Sequence, residues 1–371
     1  MSDMHNDEPR AWRSAIRDVL TEAVADGLTP SAVCAVARDG RRIEPVVVGD
    51  AVRYGPDGVE LAPAARVPAS PATVYDIASI TKVFTAVTIL TLVRDGVLGL
   101  DEPVFGRLAA FSAGAKRAIT VRQLLTHTSG LPAEWEDVPG GQPFDRSELL
   151  ERLAGLELEA DPGSRFIYSC VGYNVLMHLA EQLTGTEWSH LVHDRLLTPL
   201  ERDDPASAAL TYFPDPGACA ATEYQPDRGM VRGAVHDETA WTLGGAAGNA
   251  GLFSTASALL SVGEWLRTGM GGLLPAQLQD ELWRDQLPHV LDPQASRPDY
   301  GQGLGLRIGH LAWVGRSGGE ARGHGGFTGT SLLVDRTRRL SVVLLTNRVH
   351  PFRDTDVQPV HAAVAELAGS G

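Results

Sequence analysis

Apolar residues recur along this chain with two different spacings, and the change from one to the other divides it. In residues 11–26 they fall at Trp12, Ile16, Val19, Leu20, Ala23 and Val24, the stripe of an amphipathic helix closed by Gly27. Residues 31–37 and 43–48 are short β-rich runs on either side of Asp39-Gly40, a hairpin signature. Residues 52–72, rich in Pro, Gly and Ala, read as loop with room for one strand. From Ile80 to Val93 apolar side chains run almost all round the helical wheel, which predicts a buried helix stopped by Gly96. Helical spacing then prevails to about residue 240. Thr120 and Gln123 are placed as a capping box, 171–183 and 186–197 are periodic helices, and 131–144 and 201–217 are Pro-rich connections. After a further helix at 254–267, residues 331–334 and 340–346 predict a second antiparallel hairpin, followed by a closing helix at 359–367. Strands at both ends with helices between predict an α+β chain. Residues 1–78 and 251–371 would build one sheet domain, and 79–250 an inserted, mainly helical domain.

Composition narrows the possible partners. The 371 residues carry 46 acidic against 32 basic side chains, a formal charge of −14, which argues against nucleic acid and anionic membranes. The longest apolar run, 83–93, is too short to span a bilayer, and residues 1–10 are polar without the apolar core of a secretory signal. Cys34, Cys170 and Cys219 are odd in number, widely spaced and without C-x-x-C, so neither a disulfide frame nor a zinc site is indicated. Together these features predict a cytoplasmic protein.

The basic residues hold the first chemical clue. Thirty are Arg and two are Lys, Lys82 and Lys116. Arg does not give up its proton in proteins, whereas a buried Lys can, so a Lys in an Arg-rich chain marks a position where proton transfer is useful. Ser79 lies three residues before Lys82, at the head of the buried helix, so hydroxyl and amine share a face. That is the nucleophile-and-base unit of S-x-x-K hydrolases, and burial is expected to lower the pKa of Lys82. Tyr168-Ser169-Cys170 stands where a loop meets the 171–183 helix. Tyr168 there suits either a general base beside an ammonium or a packed aromatic. Gly323 to Gly329, with His324 and Phe327 among four glycines, suits either an oxyanion site or a flexible turn. His236-Asp237-Glu238 lacks metal-ligand spacing, and the glycine run 301–305 lacks the strand–turn–helix setting of a nucleotide site, so no metal and no cofactor is expected. The absence of G-x-S-x-G disfavours an α/β-hydrolase.

In order along the chain, seven blocks resemble the serine β-lactamase-like family, which includes class C β-lactamases, D,D-peptidases, D-aminopeptidases, family VIII esterases and some acyltransferases. They are Tyr-Asp-Ile-Ala-Ser-Ile-Thr-Lys (75–82), Leu-Leu-Thr-His-Thr-Ser-Gly-Leu-Pro (124–132), Pro-Gly-Ser-Arg-Phe-Ile-Tyr-Ser (162–169), Val-His-Asp-Glu (235–238), Ala-Gly-Leu-Phe-Ser (250–254), Gly-His-Gly-Gly-Phe-Thr-Gly (323–329) and Leu-Leu-Thr-Asn-Arg (344–348). The resemblance implies a β-lactamase/penicillin-binding-protein-like fold, an antiparallel sheet flanked by helices plus a helical domain, with the active site in the crevice between. It implies Ser79 as nucleophile, Lys82 and Tyr168 in proton transfer, and the N–H groups of Ser79 and Phe327 as oxyanion site. His324, Gly325, Gly326 and Cys170 would contact substrate. Three departures bear on substrate. Cys170 stands where relatives carry Asn, Gly325 removes a hydroxyl that would bind a β-lactam carboxylate, and Asn249 stands where relatives often have His. β-Lactamase and peptidoglycan activities are therefore disfavoured. The expectation is an esterase-like serine acyl hydrolase acting through acyl-Ser79 on a small or medium acyl substrate. An acyltransferase, a D-amino acid amidase or peptidase, and a non-catalytic acyl-binding sensor are the alternatives.

Overall fold

The computed structural model describes residues 8–138, 145–315 and 319–370. Eight strands form one antiparallel sheet, and its centre comes from the two ends of the chain. In chain order the strands are β1 (Ser31–Arg38), β2 (Arg41–Val52), β3 (Val67–Pro68), β4 (Tyr75–Asp76), β5 (Ala221–Gln225), β6 (Gly229–Arg232), β7 (Phe253–Ser254), β8 (Gly301–Gln302), β9 (Arg307–Ile308), β10 (Arg322–Gly326), β11 (Thr330–Asp335) and β12 (Leu340–Thr346). The large sheet runs β3-β2-β1-β12-β11-β10-β9-β8, while β4 pairs with β7 and β5 with β6. Both hairpins expected from the sequence form. β1 then pairs with β12 in the register Val33↔Leu345, closing the sheet across some three hundred residues.

Two-residue alternation explains why both faces of this sheet are buried. Val33, Ala35 and Ala37 of β1, with Val343 and Leu345 of β12, face the large core shared with the helices of the chain's middle. Ala32, Cys34 and Val36, with Val342 and Leu344, face a second core. That core is covered by α1 (Glu8–Ala25) and the closing helix, whose residues Val360, Val364 and Ala368 pack there.

The remaining helices are α2 (Thr81–Arg94), α3 (Val121–Leu125), α4 (Arg146–Gly155), α5 (Cys170–Thr184), α6 (Trp188–Val192), α7 (Thr198–Asp203), α8 (Glu238–Thr242), α9 (Ala256–Thr268), α10 (Ala276–Trp283), α11 (Leu287–Val290), α12 (Leu311–Val314) and the closing helix α13 (Gln358–Gly369). Every residue of α2 from Thr81 to Leu92 is buried, as its all-round apolar pattern predicts. The capping box forms, Thr120 Oγ1 accepting from Gln123 N at 3.2 Å and Gln123 Oε1 from Thr120 N at 3.1 Å. Of the connection expected over 131–144, residues 139–144 lie outside the described residues. The 186–197 helix is broken into α6 and a π-helical turn, His193–Leu197, that leads into α7. The segment around His324 is neither a flexible turn nor a loop. It is strand β10, paired with β11 as His324↔Leu332 and with β9 as Gly323↔Arg307. The glycine run 301–305 serves packing: Gly305 has φ +79°, and a Cβ there would meet Ala86 Cβ of α2 at 2.5 Å.

Candidate active site

Ser79 sits in a single 3-10 turn, Ala78–Ile80, that runs into α2. Ala78 just before it has φ +46°, an uncommon conformation for a residue with a Cβ, and it turns the chain sharply from β4 into the helix. Buried hydrogen bonds hold that turn. Asp76 Oδ1 accepts from Ala78 N at 2.8 Å, Asp76 Oδ2 from His236 N at 2.7 Å, and the Asp76 carbonyl from Thr328 Oγ1 at 2.7 Å. Thr330 Oγ1 donates to Ile77 O at 3.2 Å. The nucleophile's turn is thus tied to the end of β10 and the start of β11.

One helical turn along, Lys82 is wholly buried and its Nζ meets three acceptors: Ser79 Oγ at 3.0 Å, Asn249 O at 3.1 Å and Cys170 Sγ at 3.4 Å. Three acceptors match the three donors of an ammonium. The rings of Tyr168 and Tyr173 lie 5.0 and 5.7 Å from it. Burial alone disfavours the charge, as expected from sequence, but the groups that face it, Cys170, Tyr168 and Glu134, outweigh burial and hold Lys82 above the ordinary lysine value. The expectation of a depressed Lys82 pKa is therefore corrected: at neutral pH the resting amine is protonated. Burial pushes the Cys170 thiol up to about 12.

Tyr168 and Cys170 flank the cap of α5. Between them, Ser169 Oγ accepts from Gly172 N at 2.9 Å and donates to Pro132 O at 2.6 Å, which fixes both neighbours relative to the 124–132 block. His127 of that block, itself at φ +61°, accepts from Ser169 N through Nδ1 at 3.0 Å. Its ring lies 4.5 Å from that of Tyr168 and backs it. Burial, with Lys82 and Arg307 nearby, pushes His127 well below the ordinary histidine value, so it backs Tyr168 as a neutral ring.

The opposite wall is β10. Gly326 O accepts from Gly329 N at 3.0 Å, which turns the N–H of Phe327, trans across the same peptide plane, away from that bond. Arg348 Nε donates to Phe327 O at 2.8 Å, and His236 stacks on the Phe327 ring at 5.7 Å. A Cβ on Gly326 would meet Ile77 O at 2.6 Å, so glycine is what lets this strand lie against the nucleophile's turn. His324 is buried 5.9 Å from the Tyr168 ring, with Nδ1 on the Gly325 carbonyl at 2.7 Å. Burial and the cations Arg307 and Lys82 push it well below the ordinary histidine value, so it is a neutral imidazole here.

These pieces line one cavity of about 960 Å³, which gathers Ser79, Tyr168, Cys170, Gly325, Gly326 and Phe327 with residues the sequence did not single out: Glu134, Trp135, Arg307 and Trp313. Lys82 and His324 are buried, and each touches a residue that lines it, Ser79 and Gly325. Glu134 lies two residues beyond the 124–132 block, close enough in sequence to have been a signal. Arg307 carries no local signal, since only the β9–β10 pairing brings it to the site. His236, Asp237 and Glu238 each have a protein partner. His236 Nε2 meets Glu223 at 2.8 Å, Asp237 accepts from Ala240 N at 2.7 Å and from Asn249 Nδ2 at 3.1 Å, and Glu238 pairs with Arg353 at 2.7 Å. Among the described residues no group of acidic, His and Cys side chains has the arrangement of a metal site, and no helix is long and apolar enough to cross a membrane.

Comparison with known proteins gives the same frame. The family model described as Beta-lactamase matches residues 16–366. A Bacillus subtilis (strain 168) protein named N-acetylmuramyl-L-alanine amidase is 29% identical, the match covering 93% of this chain and 83% of the relative. Among solved structures, SurE with D-Leu superposes with a TM-score of 0.68 at 25% identity, over 97% of this chain and 76% of that one. EstCE1, described as a hydrolase with promiscuous acyltransferase activity, superposes with a TM-score of 0.74 at 22% identity, over 96% and 99% of the two chains.

Proposed function

This chain belongs to the Beta-lactamase family and is a serine hydrolase of that fold, and from that premise we propose that it is an esterase-like acyl hydrolase working through an acyl-Ser79 intermediate. The observation that carries the reading is the 3.0 Å contact between Ser79 Oγ and a buried Lys82 Nζ at the floor of a cavity large enough for a small-molecule ester. In this reading the substrate carbonyl oxygen sits between the N–H groups of Ser79 and Phe327, which stabilise the charge that develops on attack. Ser79 Oγ bonds to the carbonyl carbon. Its proton passes to Lys82 while Lys82 hands one of its own to Tyr168 and the Tyr168 hydroxyl gives its own to the departing oxygen, a single relay in which the acyl–oxygen bond breaks and every group keeps its charge. The same relay, with water in place of Ser79 Oγ as attacking group and Ser79 Oγ as the departing oxygen, releases the acid. A protonated Lys82 fits this exchange, with Tyr168 as the group that accepts and returns the proton.

A second acceptor in place of water would make the same intermediate an acyl-transfer one. A cavity near the upper end of the usual small-molecule range has room for it. We place the protein in the cytoplasm; its three thiols, Cys34, Cys170 and Cys219, are all free and buried. The test is turnover of p-nitrophenyl acetate or butyrate together with intact mass. A transient acyl adduct and its loss in Ser79→Ala are expected, and Ser79-independent turnover would refute the assignment. A rate that rises only on adding an alcohol or amine would favour transfer over hydrolysis.

A further inference from the structure

His127 has no step in the reading above, yet three features single it out. Its backbone is left-handed, φ +61°, a conformation that a residue with a large side chain rarely keeps without a tertiary reason. Its Nδ1 accepts from Ser169 N at 3.0 Å while its carbonyl accepts from Ile167 N at 2.9 Å, so the residues on both sides of Tyr168 are bonded to it. A neutral imidazole whose Nδ1 accepts carries its proton on Nε2, and that Nε2 is buried without a hydrogen-bond partner. Around the imidazole stand the rings of Tyr168, Tyr173 and Phe166, their centroids at 4.5, 5.1 and 5.9 Å. A buried donor without a partner is costly, so packing alone would favour an apolar ring at this position.

What these features share is Tyr168. The bonds at 167 and 169 fix its backbone, and the imidazole face limits how its ring can turn. The ring's direction matters because Lys82 Nζ lies 5.0 Å from its centroid and 3.0 Å from Ser79 Oγ, so a small rotation takes the hydroxyl out of the relay. Arg307 and His324 also face the Tyr168 ring, at 4.6 and 5.9 Å, but they come from β9 and β10 across the cleft. His127 both touches the ring and bonds to the backbone beside it. We propose that His127 is the positioning residue of the relay: it holds the Tyr168 hydroxyl in line with Lys82 and the departing oxygen, and so sets how poor a leaving group the enzyme can expel. This rests on the acyl-Ser79 reading with Tyr168 as proton donor. In the step, the Ser79 Oγ–acyl bond forms and the acyl–oxygen bond breaks. Tyr168 gives its proton to the departing oxygen and takes one from Lys82, which receives that of Ser79, and no bond of His127 changes. The consequence is selective, since a departing group stable as an anion needs little help and an alkoxide needs its proton as the bond breaks.

Three esters of one acid differ in that need: p-nitrophenyl, phenyl and ethyl acetate, in rising order. Their kcat/KM values, which report acylation, are measured by pH-stat titration. His127→Asn keeps an acceptor near Ser169 N and a residue type that tolerates the left-handed backbone, and it removes the ring. It should lower kcat/KM by less than about tenfold for p-nitrophenyl acetate and by about a hundredfold for ethyl acetate, the size of a misplaced proton donor. His127→Gln should show the same gradient, and it decides the matter if His127→Asn does not fold. Tyr168→Phe should give a gradient at least as steep, and Tyr168→Phe/His127→Asn should lose no more than Tyr168→Phe alone, because both changes remove one function. An equal loss on all three esters, as a purely structural role gives, would overturn the proposal. So would a double-variant loss equal to the product of the two single losses. A flat profile for Tyr168→Phe would instead overturn Tyr168 as proton donor, and turnover that survives in Ser79→Ala would overturn the acyl-enzyme reading.

Discussion

The floor and the wall of this cleft differ in how their central charged and polar groups are matched. On the floor, α2 and α5 bring Ser79, Lys82 and Cys170 together inside a buried frame in which the Lys82 donors are all matched by acceptors. On the wall, β9 and β10 carry polar atoms that the fold leaves unmatched: Arg307 Nε and His324 Nε2 are both buried without partners. A satisfied buried network keeps one geometry, as attack by a nucleophile requires. Unsatisfied buried donors are costly in the free protein and gain most when a ligand supplies the missing partner. The floor therefore fits a role in the chemistry and the wall a role in choosing the substrate.

The contrast can be tested most severely on the floor. Lys82→Arg keeps the charge but not a readily exchanged proton, so kcat should fall by about a hundredfold or more, the usual size of a lost general acid–base group. Near-normal single-turnover rates would mean that charge alone suffices. Gly326→Ala probes the seam between the two regions. Its Cβ would meet Thr330 Oγ1 at 2.2 Å and Ile77 O at 2.6 Å, so β10 must move away from the nucleophile's turn. About 1–3 kcal/mol of stability should be lost in denaturant titration, typical of overpacking. Turnover should drop roughly ten- to a hundredfold through the displaced Phe327 N–H.

The wall and the sheet behind it also carry the acid sensitivity. Burial lowers His310 and His361, which both line the cavity, and His350, after the last strand, from 6.5 to about 4. Between these values the unfolded chain takes up protons that the folded one refuses. The stability from these neutral rings is thus complete above pH 6.5 and is lost as pH falls toward 4. The thermal midpoint should decline over that window and stay level from 6.5 to 8. His324, held well below the ordinary histidine value by burial, should give the activity profile no limb near 6.5. The smallest effect is expected far from both regions. Thr120→Ala removes the cap of α3 and should cost about 1 kcal/mol in thermal unfolding with turnover retained.

Much of the floor was legible because its information is local. A serine and a lysine three apart on a helix share a face wherever the helix goes, and an all-round apolar pattern can only be buried. The two hairpins and the capping box were legible for the same reason. The wall was not. Glycines around His324 look like a turn in isolation, yet β11 and β9 draw them into a strand. The charge of Lys82 was misjudged because the groups that set it, Tyr168, Cys170 and Glu134, come from other segments.

By itself, then, the sequence determined the elements, the α+β plan and the reactive pair, since periodicity and near-neighbour spacing act within a few residues. Which strands lie side by side, which cation meets which ring and which buried proton is kept were decided by the tertiary structure. Those outcomes depend on burial and on charges brought together across the chain, and neither is a property of any local stretch of residues.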